Sequence, residues 1–105
     1  NLIKKNMIHT TKNIQKNNTT YFECRFRNLD GEFVDPSTNP TYEIRSESGS
    51  IVQSGSLQKR KDGYWGTYYT PTDIGLYEIS YSGEINSKVV LIKDKFRVIT
   101  IKKTK

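Results

Sequence analysis

At 105 residues and 12.2 kDa the chain is long enough for one domain and too short for two. Only 33% of residues are hydrophobic, yet 11% are aromatic and alanine is missing, a composition that suits pleated sheet better than helix. The formal charge is +6, no apolar run approaches the ~20 residues of a membrane helix, and one Cys with one His disfavours a disulfide framework or a Cys/His zinc site.

Residues 1–17 are rich in Lys and Asn, with Leu2, Ile3, Met7, Ile8 and Ile14 scattered at no regular period. The segment reads either as a first strand of the home sheet or as an arm that orders against a neighbouring subunit. On the second reading Leu2, Ile3, Met7 and Ile8 are candidate partner contacts. No signal peptide is visible, because charge interrupts both apolar pairs. His9, the sole histidine, reads as a surface imidazole.

From Thr20 the pattern sharpens. Phe22, Cys24 and Phe26 alternate with Glu23, Arg25 and Arg27, which predicts a strand with one buried face and one wet face. Asp30-Gly31 predicts a turn needing positive φ, and Asp35-Pro36 with Asn39-Pro40 predicts a loop. Tyr42 and Ile44 then alternate with Glu43 and Arg45. Ser48-Gly49 turns the chain into a short strand at Ile51 and Val52, which Gly55 is expected to break. Lys59, Arg60 and Lys61 read as a basic loop tip before the Asp62-Gly63 turn, and they join the candidate partner contacts.

Tyr64 to Thr70 is an aromatic strand whose alternation sends either Tyr64 and Tyr68 or Trp65 and Tyr69 to the core. A platform of Trp65, Tyr69 and the basic tip would suit nucleic acid, but core packing and a sugar or protein contact both fit better. Pro71 to Gly75 forms a corner, after which Tyr77, Ile79 and Tyr81 alternate with Glu78 and Ser80. Ser82-Gly83 to Ser87 is expected to be a hairpin loop, and Val89 to Ile101 one long strand or two parts bent at Lys93-Asp94.

About seven short strands with turns every 8–12 residues predict an all-β, Ig-like antiparallel β-sandwich of about seven strands without a disulfide. The expected boundaries are an arm or first strand at 1–17, the sandwich at 18–101 and a basic tail at 102–105. The inward set is Phe22, Cys24, Phe26, Ile44, Ile79 and Tyr81. Asp73-Ile74-Gly75-Leu76-Tyr77 predicts the corner in which a Tyr at the start of the penultimate strand bonds back to upstream backbone. Asp73, Gly75 and Tyr77 are therefore the structural corner. Asp30, Asp35, Asp62 and Asp73 are all assigned to turn chemistry. Nothing points to a catalytic set, a metal site or a cofactor: the Gly residues are scattered, and no nucleophile has a base within motif distance.

Over residues 18–100 the chain also resembles a recurrent kind of small tailed-phage protein. The residues that carry the likeness are Asp30-Gly31, Val34-Asp35-Pro36, Tyr42-Glu43-Ile44, Gly66-Thr67-Tyr68-Tyr69-Thr70-Pro71 and Gly75-Leu76-Tyr77. They continue in Gly83-Glu84-Ile85-Asn86-Ser87-Lys88 and Lys95-Phe96-Arg97-Val98. The resemblance implies a non-enzymatic structural domain of the virion, at the head, neck or tail, assembled in the host cytoplasm. Its implied partners are other virion proteins in several symmetric copies, with no membrane and no cofactor. The same architecture serves surface modules that bind carbohydrate or host protein, which is the alternative; a small basic nucleic-acid-binding domain ranks below both.

Overall fold

The computed structural model describes residues 12–100. Leu2, Ile3, Met7, Ile8, His9 and the basic tail 102–105 lie outside the described residues. Eight strands and no helix are found there: β1 (Lys12–Gln15), β2 (Thr20–Arg25), β3 (Thr41–Ser46), β4 (Ile51–Ser56), β5 (Gln58–Lys61), β6 (Tyr64–Tyr69), β7 (Gly75–Ile85) and β8 (Lys88–Ile99). They form two sheets, β1-β8-β7-β3-β4 and β2-β6-β5. The order is that of an Ig-type sandwich, with β2, β6 and β5 in the places of strands B, E and D and β8, β7, β3 and β4 in those of G, F, C and C′.

Two features depart from the expected outline. The count is eight, because Gln58–Lys61 is a strand rather than a loop tip. One pairing is parallel: β1 lies beside the end of β8, with Lys12 opposite Phe96 and Gln15 opposite Ile99. The chain then crosses to the other sheet through a turn in which Asn17 takes a φ of 68° and donates its amide to the Pro71 carbonyl.

The sheets meet through their inward rows. Phe22 and Cys24 of β2, Phe26 just after it, Tyr42 and Ile44 of β3, Tyr77, Ile79 and Tyr81 of β7, and Phe96 and Val98 of β8 are all buried, with Ile14, Leu57 and Tyr69 completing the core. Phe96 is the hub: its ring lies 4.8 Å from Phe22, 6.2 Å from Tyr69 and 5.4 Å from Tyr77, the last nearly parallel. Each such side chain contributes about 1.5–3 kcal/mol on burial, and each aromatic pair about 0.5–1.5 kcal/mol more.

Three local expectations are corrected. Gly55 does not break β4, which continues to Ser56 with the glycine lying under the Tyr42 ring. Gly83 is no hairpin residue either: β7 runs through it to Ile85, and the reversal is made by Asn86 and Ser87 at φ 54° and 66°. Glycine is required at 83 by packing, since a Cβ there would sit 2.9 Å from the Phe26 ring and 3.0 Å from Pro36. The third concerns Asp35, whose carboxylate works across the fold rather than within a turn.

Candidate interaction surfaces

The corner forms around Tyr77. Its hydroxyl donates to the Asp73 carbonyl at 2.8 Å, while its ring stacks on Phe96 inside the core. Gly75 lets the chain turn there with a φ of 144°, a value that side-chain-bearing residues avoid. Asp73 contributes its backbone to this bond. The corner is therefore a brace for the start of β7.

Asp35 ties the long loop after β2 to the β5–β6 hairpin. Its carboxylate accepts from Lys59 Nζ at 2.6 Å, from the Gly63 amide at 2.9 Å and from Trp65 Nε1 at 3.2 Å. These bonds, the Gly63 amide foremost, hold its carboxyl below the ordinary carboxylate range. The Asp30 turn is likewise built by a neighbour, Asn28, whose Oδ1 accepts from the amides of Asp30 and Glu32.

Lys59, Arg60 and Lys61 are not a loop tip, as their charge suggests, but strand residues with intramolecular partners. Lys59 also reaches Asp62 at 3.0 Å. A bulge between Lys59 and Lys61 leaves Arg60 out of the ladder, and its guanidinium clamps Glu23 from two nitrogens at 2.6 and 2.9 Å. Lys61 Nζ lies 4.4 Å from the centre of the Tyr64 ring.

The aromatic strand resolves with Trp65 and Tyr69 inward and Tyr64 and Tyr68 outward, because Cys24 faces Trp65 and Arg25 faces Tyr64 across the β2–β6 ladder. The outer face of the small sheet therefore carries cross-strand rows of Tyr21 with Tyr68, Glu23 with Gly66 and Arg25 with Tyr64. The Tyr21 and Tyr68 rings are 5.0 Å apart, and Tyr68 is 66% exposed. Tyr21 donates its hydroxyl to Glu23 at 2.9 Å. Arg25 and Arg60 join Lys61 around Tyr64, at 5.2 and 5.1 Å from its ring centre. Phe33 lies 5.0 Å beyond Tyr64, with Arg27 over its ring.

A second surface lies on the large sheet. Between Lys88 and Lys95, β8 is paired with β7 on one side only; among the described residues its other edge has no strand partner, since β1 begins opposite Phe96. Val89 and Leu91 stand 72% and 57% exposed on this segment, with Val90 and Ile92 packed toward the core. Such an edge presents unpaired backbone donors and acceptors beside apolar side chains.

Burial pushes the Cys24 thiol up to about 12, aided by the nearby Glu23 charge, so it remains protonated and poorly nucleophilic at neutral pH. Among the described residues no three His, Cys, Asp or Glu side chains come together as metal ligands. Family models, curated proteins and solved structures give no match to the chain.

Proposed function

We propose that the chain is a non-enzymatic structural component of a tailed-phage particle, acting by protein–protein packing in several symmetric copies at the head, neck or tail. The virion address rests on the motif resemblance over residues 18–100. The mode of action rests on one observation, the β8 edge that among the described residues is paired on one side only between Lys88 and Lys95, with Val89 and Leu91 exposed beside it. An edge of this kind accepts an added strand from a neighbour, which satisfies its backbone groups while the apolar side chains are covered. Lys88, Lys93 and Lys95 border the same segment and hold off unselective pairing, since charge on an edge strand disfavours random association.

The test is a double substitution, Val89→Lys with Leu91→Lys, in the phage that carries the gene. Both side chains are exposed, so the purified variant should melt within a few degrees of the parent. Quantitative mass spectrometry of purified particles should find the parent chain and a strongly reduced amount of the variant. Full incorporation of a folded variant, or particles lacking the parent chain, would refute the proposal.

A further inference from the structure

We propose that the outer face of the three-stranded sheet is a binding site for an acidic oligosaccharide, with Tyr21 and Tyr68 stacking on one sugar ring and Arg25 and Lys61 holding an anionic group on a neighbouring sugar. The site lies on the sheet opposite to the one that bears the β8 edge, and it stands whether or not the packing reading does.

The floor is built from three strands. Tyr21 and Tyr68 face each other across the ladder, and Gly66 occupies the next row beside Glu23. Gly66 leaves that floor bare: a Cβ there would collide with the Tyr21 hydroxyl and the Phe22 carbonyl oxygen. Tyr21 thus lies across the glycine, anchored by its hydroxyl on Glu23. The result is an open groove of about 580 Å³ lined by Tyr21, Glu23, Gln58, Lys59, Arg60 and Tyr68.

The lining chemistry suits vicinal hydroxyls. Each sugar hydroxyl both donates and accepts, and a flat apolar ring face covers its C–H groups. Here the Glu23–Arg60 pair supplies fixed acceptors and donors in one plane, Gln58 supplies both from its amide, and the exposed Tyr68 ring supplies the flat face. Burial and the Glu23 carboxylate push the Tyr21 hydroxyl above its ordinary value, so it stays neutral and keeps its place as a donor.

The acid requirement comes from the next row. Three cations approach the single Tyr64 ring to 4.4, 5.1 and 5.2 Å. The ring's electron-rich face draws them in, but their mutual repulsion is left over. Arg60 is neutralised by Glu23, whereas among the described residues neither Arg25 nor Lys61 makes an ion pair. A carboxylate or sulfate bound beside these cations offsets that repulsion. The same crowding at Tyr64 leaves Tyr68 as the one strongly exposed tyrosine ring of this face, whereas single-stranded nucleic acid is held by stacking successive bases on several rings.

The experiment titrates the purified chain, by calorimetry or ligand-observed NMR, with oligogalacturonate, heparin-derived and maltose-series hexasaccharides and with an oligothymidylate. Binding to at least one acidic hexasaccharide is expected with a Kd below about 1 mM, weakening as salt is raised, with the maltose series at least about tenfold weaker. Tyr68→Ala and the pair Arg25→Ala/Lys61→Ala should each lower that affinity about tenfold or more while leaving the melting temperature within a few degrees. No binding of either acidic hexasaccharide overturns the proposal. So does equal binding of the neutral series, tighter binding of the oligothymidylate, or acidic-glycan binding that survives both variants.

Discussion

Tyr77→Phe removes one oxygen and leaves the ring, so it isolates the hydroxyl's bond to the Asp73 carbonyl from the stacking on Phe96. A hydrogen bond of 2.8 Å between neutral groups contributes about 1 kcal/mol net. Because Asp73 is exposed, water can reach its freed carbonyl, and the larger penalty for a buried unsatisfied acceptor does not arise. The expected loss is therefore about 1 kcal/mol. For a domain of this size that lowers the melting temperature by about 4–8 °C. In urea, with a slope of about 1–1.5 kcal/mol per molar, it moves the midpoint by roughly 0.7–1 M at unchanged slope. Tyr77→Ala, which also removes the ring from Phe96, should cost about 3–5 kcal/mol and threaten the fold. An unchanged midpoint for Tyr77→Phe would show that the corner is held by ring packing alone.

Gly83→Ala should destabilise the chain by about 1–3 kcal/mol, since the added methyl meets the fully buried Phe26 ring and Pro36; a neutral thermal melt would contradict the close approach at this position. Asp35→Asn should cost about 1 kcal/mol near pH 7, a charge-assisted network discounted for partial exposure. Because the folded carboxyl is held low, its stabilisation is present above about pH 4 and lost as pH falls through the folded value. The gap between parent and variant in urea midpoint should thus narrow as pH falls below about 4, and a gap independent of pH would refute the assignment. In the alkaline range the unfolded chain loses the Cys24 proton first, so stability present below about pH 9 should fall by roughly 1.4 kcal/mol per pH unit above it. A thiol reagent at pH 8 should correspondingly leave native Cys24 unmodified and label it in denaturant; rapid native labelling would place the thiol outside the core.

What could be read from the residues alone is what depends on near neighbours. Phe22-Glu23-Cys24-Arg25 and Tyr77-Glu78-Ile79-Ser80 alternate because each strand has one buried and one wet face, a demand that the period of two reports directly. The turns at Gly31, Gly49 and Gly63 are equally local, with φ of 84°, 94° and 81°. The misses share the opposite character. β5 has four charged or polar residues in a row and no apolar face; it is a strand because β6 pairs with it and because Asp35 and Glu23 wait across the sheet. Asp35 before a proline looked like turn chemistry, yet its partners Gly63 and Trp65 lie about thirty residues along the chain. Gly83 looked like a loop residue because its reason, the ring of Phe26, is also distant. The choice between the two aromatic sets of β6 was undecidable from parity. It was settled by cross-strand register, which is what placed Tyr64 and Tyr68 on the outer face.

The central claim is that the β8 edge joins this chain to its neighbours, and a photo-cross-linking amino acid at position 91 addresses it most directly. Incorporated in place of Leu91 in the assembled particle, with the same group at exposed Thr72 as a control, it should form one dominant cross-link. The account predicts that position 91 joins to another virion protein or to a second copy of this chain, and that position 72 yields little. Cross-links from position 91 confined to its own chain, or equal yields from both positions, would contradict it.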